Sequence, residues 1–484
     1  MTFKPFPGQW LSLRRHQQPG SEALFGRERF TYMQLAEESM GLAACLHGRG
    51  IRSRQVVAVQ VRSPWQLAQL LYASLQLGIT LLPLDPSLDS QRRNRLLQQV
   101  SCDCLISDEP TAAPGAIWIS SADLFGEKLD VSVHFGAEGQ YADDIQLIIA
   151  TSGTTGDPKG VMLSAGNLTA SATASEQRLG LAAGDSWLAC LPLFHIGGLS
   201  ILLRCLAVGA RVLLHEGFWV ESVWDQIASG EVTHVSLVPA MLDKLLNHAG
   251  SLRPPEALRV VLIGGGPLSG SLAEKAHAAG WPICVSYGMS ETASQFATDA
   301  GPDAGLTPGL VGLPLDGYEV RLTEDGRIRV RGPAVMAGYA NPAGRLGVGL
   351  DQGWFETGDL GSLDEQGCLS ITGRADDLLI CGGKNIHPSE VEERLLRCPG
   401  VTGVGVTGQK DAVWGDKLIA FYCGAITEDG LIAWVGEHLP SHLRPRVCIK
   451  TDKLPLNQMG KLSRLALREM LSEVNRSAEG SSSA

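Results

Sequence analysis

Apolar positions recur along the chain with two periods, and the alternation between them predicts the architecture. Gln55–Val61 (QVVAVQV) reads as a strand, and from Pro64 to Leu77 the residues Leu67, Leu70, Leu71 and Leu75 fall at helical spacing. Ile145–Ala150 is a short apolar run leading into a glycine-rich segment. Arg259–Ile263 runs into Gly264-Gly265-Gly266-Pro267 ahead of another helical stretch. Strands alternating with helices predict an α/β fold, with a large N-terminal region of mixed and parallel sheets packed with helices. After about Gly312 the pattern changes. Tyr318–Leu322 and Arg327–Arg331 alternate apolar with polar around the turn Glu324-Asp325-Gly326, which predicts a β-rich subdomain of hairpins. A second shift near Gly373-Arg374 opens a small C-terminal α+β domain. The expected organisation is residues 1–373, a junction at 374–376, a small domain at 377–476 and a disordered tail at 477–484.

Composition narrows the classes of function. Of 484 residues, 44% are hydrophobic and 19% charged, enough apolar surface for large cores. Lys and Arg total 40 against 51 Asp and Glu, a formal charge of −11, which argues against a nucleic-acid partner. The eleven cysteines are dispersed without a CxxC pair, so zinc-ribbon and disulfide frameworks fail. A reduced, cytoplasmic setting is expected. The N-terminus lacks the basic-then-apolar order of a signal peptide. The most apolar stretch, Leu199–Leu214, is interrupted by Arg204 and Arg211, so no integral membrane association is expected.

The densest chemistry lies in Thr151-Ser-Gly-Thr-Thr-Gly-Asp-Pro-Lys-Gly160, directly after LIIA. Gly153, Gly156 and Gly160 allow tight turns, Thr151, Ser152, Thr154 and Thr155 add hydroxyls, and Lys159 adds a cation. Such a loop at a strand end suits phosphate. It lacks the spacing of a Walker A loop.

This segment resembles the phosphate loop of the adenylate-forming superfamily of acyl-CoA synthetases, nonribosomal adenylation domains and luciferases. Further segments follow in that superfamily's order: SYGMSET (286–292), TGDL (357–360), GRADDLLICGGK (373–384) and LPLNQMGKLSR (454–464). The resemblance covers nearly the whole chain and implies site residues one by one. Gly265, Gly266, Pro267, Tyr287 and Gly288 would form the adenine slot, and Asp359, supported by Arg374, would take the ribose hydroxyls. Glu291, a hard oxygen donor, would hold Mg²⁺ against the triphosphate, and Thr292 would reach the α-phosphate. Lys461 would bridge the acid carboxylate and that phosphate. Asp376 matches the hinge position, so the resemblance makes 374–376 a hinge and 377–476 a mobile C-terminal domain, and Gly382 and Gly383 match the loop that admits the pantetheine arm of CoA. Taken alone, Asp359 would read as a turn residue, Tyr287 as core and Lys461 as a solvated lysine. The literal GxGxxG at Gly403–Gly408 is interleaved with valines and reads as a strand, not a dinucleotide fingerprint.

Residues 191–206, LPLFHIGGLSILLRCL, carry His195 and Arg204 nine positions apart. Leu199, Leu202, Leu203 and Leu206 share one helical face, with Arg204 beside it. A guanidinium buried there needs an anionic partner, unless it snorkels to water. This stretch, with Ser290-Glu-Thr-Ala-Ser-Gln295, resembles the 2-succinylbenzoate–CoA ligase family of menaquinone and phylloquinone synthesis. That resemblance implies an aromatic dicarboxylic acid, with Arg204 meeting its second carboxylate and His195 orienting the reacting one. Ser294 and Gln295 would be further pocket residues. Gly197 departs from the serine frequent there in the family.

The expected activity is ligation of an acid to CoA through an acyl-adenylate, with ATP and CoA as co-substrates and Mg²⁺ as cofactor. Alternatives are another acyl- or aryl-CoA ligase, a stand-alone adenylation domain loading a carrier protein, and a nucleotide-binding regulator without catalysis. Oligomeric state has no sequence signal.

Overall fold

Ser63 starts the first long apolar helix, its Oγ accepting from the Gln66 amide at 3.4 Å. Pro64 occupies the first turn, where its missing N–H costs nothing, and Gly78 ends the helix at φ +70°. The helix spans Pro64–Leu77, and Leu67, Leu70, Leu71 and Leu75 are all buried, as their spacing predicts. The structure is a computed structural model that describes residues 5–126, 141–152, 158–411, 414–456 and 462–482.

The described residues form three sheets. The first orders Gly338–Tyr339, Pro158–Ser164, Ile145–Ser152, Thr80–Pro83, Val56–Gln60, Cys104–Ser107 and Ile117–Ser120. Its last five strands are parallel, and Pro158–Ser164 returns antiparallel to Ile145–Ser152. The glycine-rich segment therefore joins two antiparallel strands, with Thr151 opposite Lys159 and Ser152 opposite Pro158. No helix N-terminus follows it.

The second sheet holds a parallel block, Arg211–Leu214, Ser186–Ala189, His234–Leu237, Val260–Ile263 and Ile283–Met289. Ser294–Asp299 turns back antiparallel on Ile283–Met289. The sheet continues through Leu310–Pro314, Leu369–Arg374 and Phe355–Leu363 to the hairpin Glu319–Leu322 and Arg327–Arg331. That hairpin is the one its alternation predicts. Helix Ile196–Val208 packs across Ser186–Ala189, Arg211–Leu214 and Ser294–Asp299.

The third sheet lies in residues 379–450. The buried apolar residues of the largest cluster end at Leu369, and those of the C-terminal cluster begin at Cys381. The GxGxxG falls inside strand Val401–Asp411. A Cβ on Gly405 would come within 3.1 Å of Leu462 and Leu467, so glycine there lets the last helix lie close. That helix runs Arg464–Ser482, into the stretch the composition reads as a disordered tail; its backbone stays helical through Ser482. Arg464 meets Glu392 at 2.8 Å and Asp377 at 3.8 Å, and Arg468 meets Asp377 at 3.1 Å. The eleven cysteines are free thiols, and no helix among the described residues is long and apolar enough to cross a membrane.

Candidate active site

Two antiparallel strands, Ile283–Met289 and Ser294–Asp299, meet through a tight turn that gathers several of the predicted residues. Their approach is so close that a Cβ on Gly288 would fall 2.0 Å from the Ser294 carbonyl oxygen. Only glycine fits there. Ala293 and Ser294 then take positive φ, +50° and +95°, unusual for residues with side chains.

Tyr287 projects from this strand and donates to Asp359 Oδ2 at 2.5 Å. The Arg374 guanidinium lies 3.3 Å from Asp359 Oδ1, across the pair of strands where the two residues stand opposite. The Asp359 amide donates to Thr357 Oγ1 at 3.1 Å. Burial, reinforced by Asp359, keeps the Tyr287 phenol protonated and therefore a donor. An acceptor held this way suits two vicinal hydroxyls. Gly265 and Pro267 are exposed at the end of strand Val260–Ile263, and Gly265 has φ +76°.

Glu291 accepts a hydrogen bond from the Tyr339 hydroxyl at 2.8 Å. The Lys159 ammonium lies 5.1 Å from the centre of the same tyrosine ring. Tyr339 thus joins the phosphate-loop lysine to the predicted metal ligand, although no sequence pattern singles it out. Among the described residues no three His, Cys, Asp or Glu side chains cluster. One carboxylate beside a phosphate site fits Mg²⁺, which keeps waters and takes substrate phosphates as ligands.

Thr292 follows Glu291 in the same turn. It is fully buried, its hydroxyl donates to the carbonyls of Met289 and Ser294 at 3.1 and 2.7 Å, and it accepts from the Met289 amide at 3.0 Å. It closes the turn on which Glu291 stands: among the described residues, the hydrogen-bond partners of its hydroxyl are backbone groups of that turn. Gly153, Thr154, Thr155, Gly156 and Lys461 lie outside the described residues. Thr151 Oγ1 donates to the Lys159 carbonyl at 3.4 Å across the hairpin.

On the acid side, His195 precedes helix Ile196–Val208, its ring tilted against Phe194 at 4.7 Å. Burial holds its pKa below the usual histidine value against the opposing pull of Asp85, which favours neutral imidazole. Nine residues on, Arg204 is 2% exposed, and its Nε and Nη2 have no hydrogen-bond partner. The guanidinium does not snorkel. It borders a cavity of about 10 Å³, room for one water, lined also by Leu168, Ser171, Ile196, Ser200 and Leu203. Burial draws the Arg204 pKa down to about 10, so it remains a cation near neutrality.

Ser200, one helical turn before Arg204, lies 3.5 Å from Ser294 Oγ and brings the two acid-side segments together. Its four-residue spacing from Arg204 was the signal that could have found it. Gln295 is buried, its Nε2 donating to Thr298 Oγ1 at 3.1 Å while Oε1 has no partner. At Gly197 an added Cβ would meet only Leu191, at 3.8 Å, so the missing serine is no steric necessity.

In the C-terminal part, Gly382 and Gly383 form a turn at φ +57° and +75° between Leu379–Cys381 and Lys384–Ile386. The Gly382 amide donates to the Trp414 carbonyl at 2.8 Å. Asp376 is exposed, 3.9 Å from Arg374.

The chain matches the AMP-binding enzyme family over residues 12–340 and the AMP-binding enzyme C-terminal domain over 390–461. It belongs to the AMP-binding enzyme family. Within that family it is 34% identical to the 2-succinylbenzoate–CoA ligase of Bacillus cereus, over 96% of this chain and 98% of the relative. Among solved AMP-binding enzymes it resembles o-succinylbenzoate CoA synthetase from Bacillus subtilis in complex with the acyl-adenylate intermediate. That likeness has a TM-score of 0.87 and 33% identity, covering 95% of this chain and 97% of the other. The same Bacillus enzyme in complex with ATP and magnesium ion gives a TM-score of 0.85 at 32% identity, covering 95% and 99%.

Proposed function

We propose that the chain is an ATP-dependent 2-succinylbenzoate–CoA ligase acting in the cytoplasm, in menaquinone or phylloquinone synthesis. The observation that carries the choice of acid is Arg204: a buried cation with two unpaired donors, on the helix that His195 opens. An uncompensated charge in that position costs on the order of several kcal/mol. A substrate carboxylate would offset this. The family resemblance supports the same acid.

In the first half-reaction an oxygen of the acid's reacting carboxylate attacks the α-phosphorus of ATP and pyrophosphate leaves, giving the acyl-adenylate. In the second, the CoA sulfur attacks the acyl carbon and AMP leaves with the bonding electrons. Neither step needs a protein nucleophile, so the chain contributes orientation and charge. Asp359, fixed by Tyr287 and Arg374, takes the ribose. Lys159 and the amides and hydroxyls of residues 151–156 take the phosphates. Neutral His195 orients the reacting carboxylate without pairing with it as a cation. Lys461 screens the repulsion between that carboxylate and the α-phosphate. Glu291 would hold the magnesium ion, which when bound would supply neutralising charge for the departing pyrophosphate. Asp376 serves as the pivot, and Gly382 and Gly383 admit the pantetheine arm.

Purified protein with ATP, Mg²⁺ and CoA, offered a panel of acids, tests this reading. Formation of a CoA thioester from 2-succinylbenzoate well above that from benzoate or straight-chain acids is expected. A thioester from a monocarboxylate alone would make the chain a different acyl- or aryl-CoA ligase. A requirement for a carrier-protein thiol would make it an adenylation domain.

A further inference from the structure

Beneath Arg204 lies a column of rings that the reaction above does not use. Strands Ser186–Ala189 and His234–Leu237 are parallel neighbours with Trp187 opposite His234, so both side chains leave the same face of the sheet. The rings lie 5.1 Å apart, tilted by 33°. Helix Ile196–Val208 crosses this face and sets the Arg204 guanidinium carbon 5.6 Å from the centre of the Trp187 ring.

Trp187 cannot turn freely. It is fully buried, and its Nε1 donates to Ser236 Oγ at 3.1 Å. Ser236 stands on the same strand as His234, two residues along and therefore on the same face. His234 is also fully buried, and its Nδ1 pairs with Thr233 Oγ1 at 2.8 Å. Burial brings the His234 pKa down to about 4, so the ring behind Trp187 is neutral and Arg204 is the cation on the indole.

An arginine whose Nε and Nη2 have no partner needs something else to fix its plane. An indole face does this: it attracts the cation through its quadrupole and leaves the N–H donors free for a ligand. We propose that Trp187, locked by Ser236 and backed by His234, is the shelf that aims Arg204 at the acid's second carboxylate. Trp187 is thus a positioning residue that sets selectivity for a dicarboxylate. The inference rests on the reading of Arg204 as the carboxylate-binding cation.

The test compares wild type with Trp187→Leu, Trp187→Phe, Ser236→Ala and Arg204→Ala. For each, KM and kcat are measured with 2-succinylbenzoate and with the matching aryl ketone acid that keeps the reacting carboxylate and lacks the second one, together with KM for ATP and the thermal midpoint. Trp187→Leu is expected to raise KM for the dicarboxylate about tenfold and to lower its preference over the monocarboxylate by a similar factor. KM for ATP should stay within about twofold of wild type. Trp187→Phe, which keeps an aromatic face, should recover most of that preference. Ser236→Ala, a small change that preserves the ring, should shift preference in the same direction even if Trp187→Leu does not fold. Equal losses for both acids, or a Ser236→Ala preference equal to wild type, would overturn the shelf. If Arg204→Ala lowers the preference and these variants do not, the shelf fails while the Arg204 reading stands. If Arg204→Ala leaves the preference intact, that reading fails as well.

Discussion

Tyr339 and Glu291 are hydrogen-bonded at 2.8 Å although they lie 48 residues apart in sequence. The phenol fixes one carboxylate oxygen, and Lys159 rests over the same ring, so the proposed metal ligand and the proposed phosphate-binding cation share one support. Burial and the neighbouring Glu291 carboxylate raise the Tyr339 pKa, so the phenol stays a donor across the working pH range.

Tyr339→Phe removes that donor and keeps the ring. The Mg²⁺ concentration for half-maximal pyrophosphate release should rise about tenfold, the usual scale for losing an orienting partner of a metal ligand. KM for the acid should be unchanged. A magnesium titration at fixed ATP checks this, and a parallel rise in acid KM would contradict it.

Adjacent glycines at the start of the acid-site helix should respond in opposite ways. A Cβ at Gly198 would fall 2.4 Å from the Pro192 carbonyl oxygen, whereas one at Gly197 meets only Leu191 at ordinary contact distance. Gly198→Ala should destabilise by about 1–3 kcal/mol, the scale of overpacking. Gly197→Ser should leave the thermal midpoint within about a degree of wild type or raise it, since it replaces glycine within a helix. Thermal denaturation of both variants decides.

His234 links stability to pH. Its folded pKa of about 4 lies below the ordinary 6.5, so below 6.5 the unfolded chain binds a proton that the folded chain refuses. Stability from this group is complete above pH 6.5 and declines as pH falls through 4, by roughly 3–4 kcal/mol at most. His234→Gln should therefore lose less in thermal midpoint between pH 7.5 and 5 than wild type, whatever its absolute stability. An unchanged difference would show that the ring does not titrate this way.

Lys461→Ala should separate the two half-reactions. Adenylate formation, followed by pyrophosphate release, should fall about a hundredfold or more, whereas transfer to CoA from supplied acyl-adenylate should be largely preserved. Equal loss of both would contradict the role assigned to the lysine.

The parts of this site that sequence makes legible are those with local signatures. Helix Pro64–Leu77 is written in its leucine spacing and its Ser63 and Gly78 ends, and the hairpin at Glu319–Arg331 in strict alternation. Asp359, Arg374 and Glu291 are legible as members of ordered motifs. Trp187, Ser200 and Tyr339 are not, because each matters only through a neighbour brought close by sheet register or helix crossing. Buried aromatics read as core in any sequence, and Trp187 is core until Arg204 lies on it. Thr292 adds what its motif does not spell out: its hydroxyl closes the turn through the Met289 and Ser294 carbonyls.

The acids at 376 and 377 differ in their attachments. Asp377 is anchored to Arg464 and Arg468 of the last helix, while Asp376 beside it is exposed and within 3.9 Å of Arg374. If the chain turns at Asp376, the proposed pivot, the ion pairs of Asp377 one residue on would carry that rotation to the terminal helix, as an axle joined to its load.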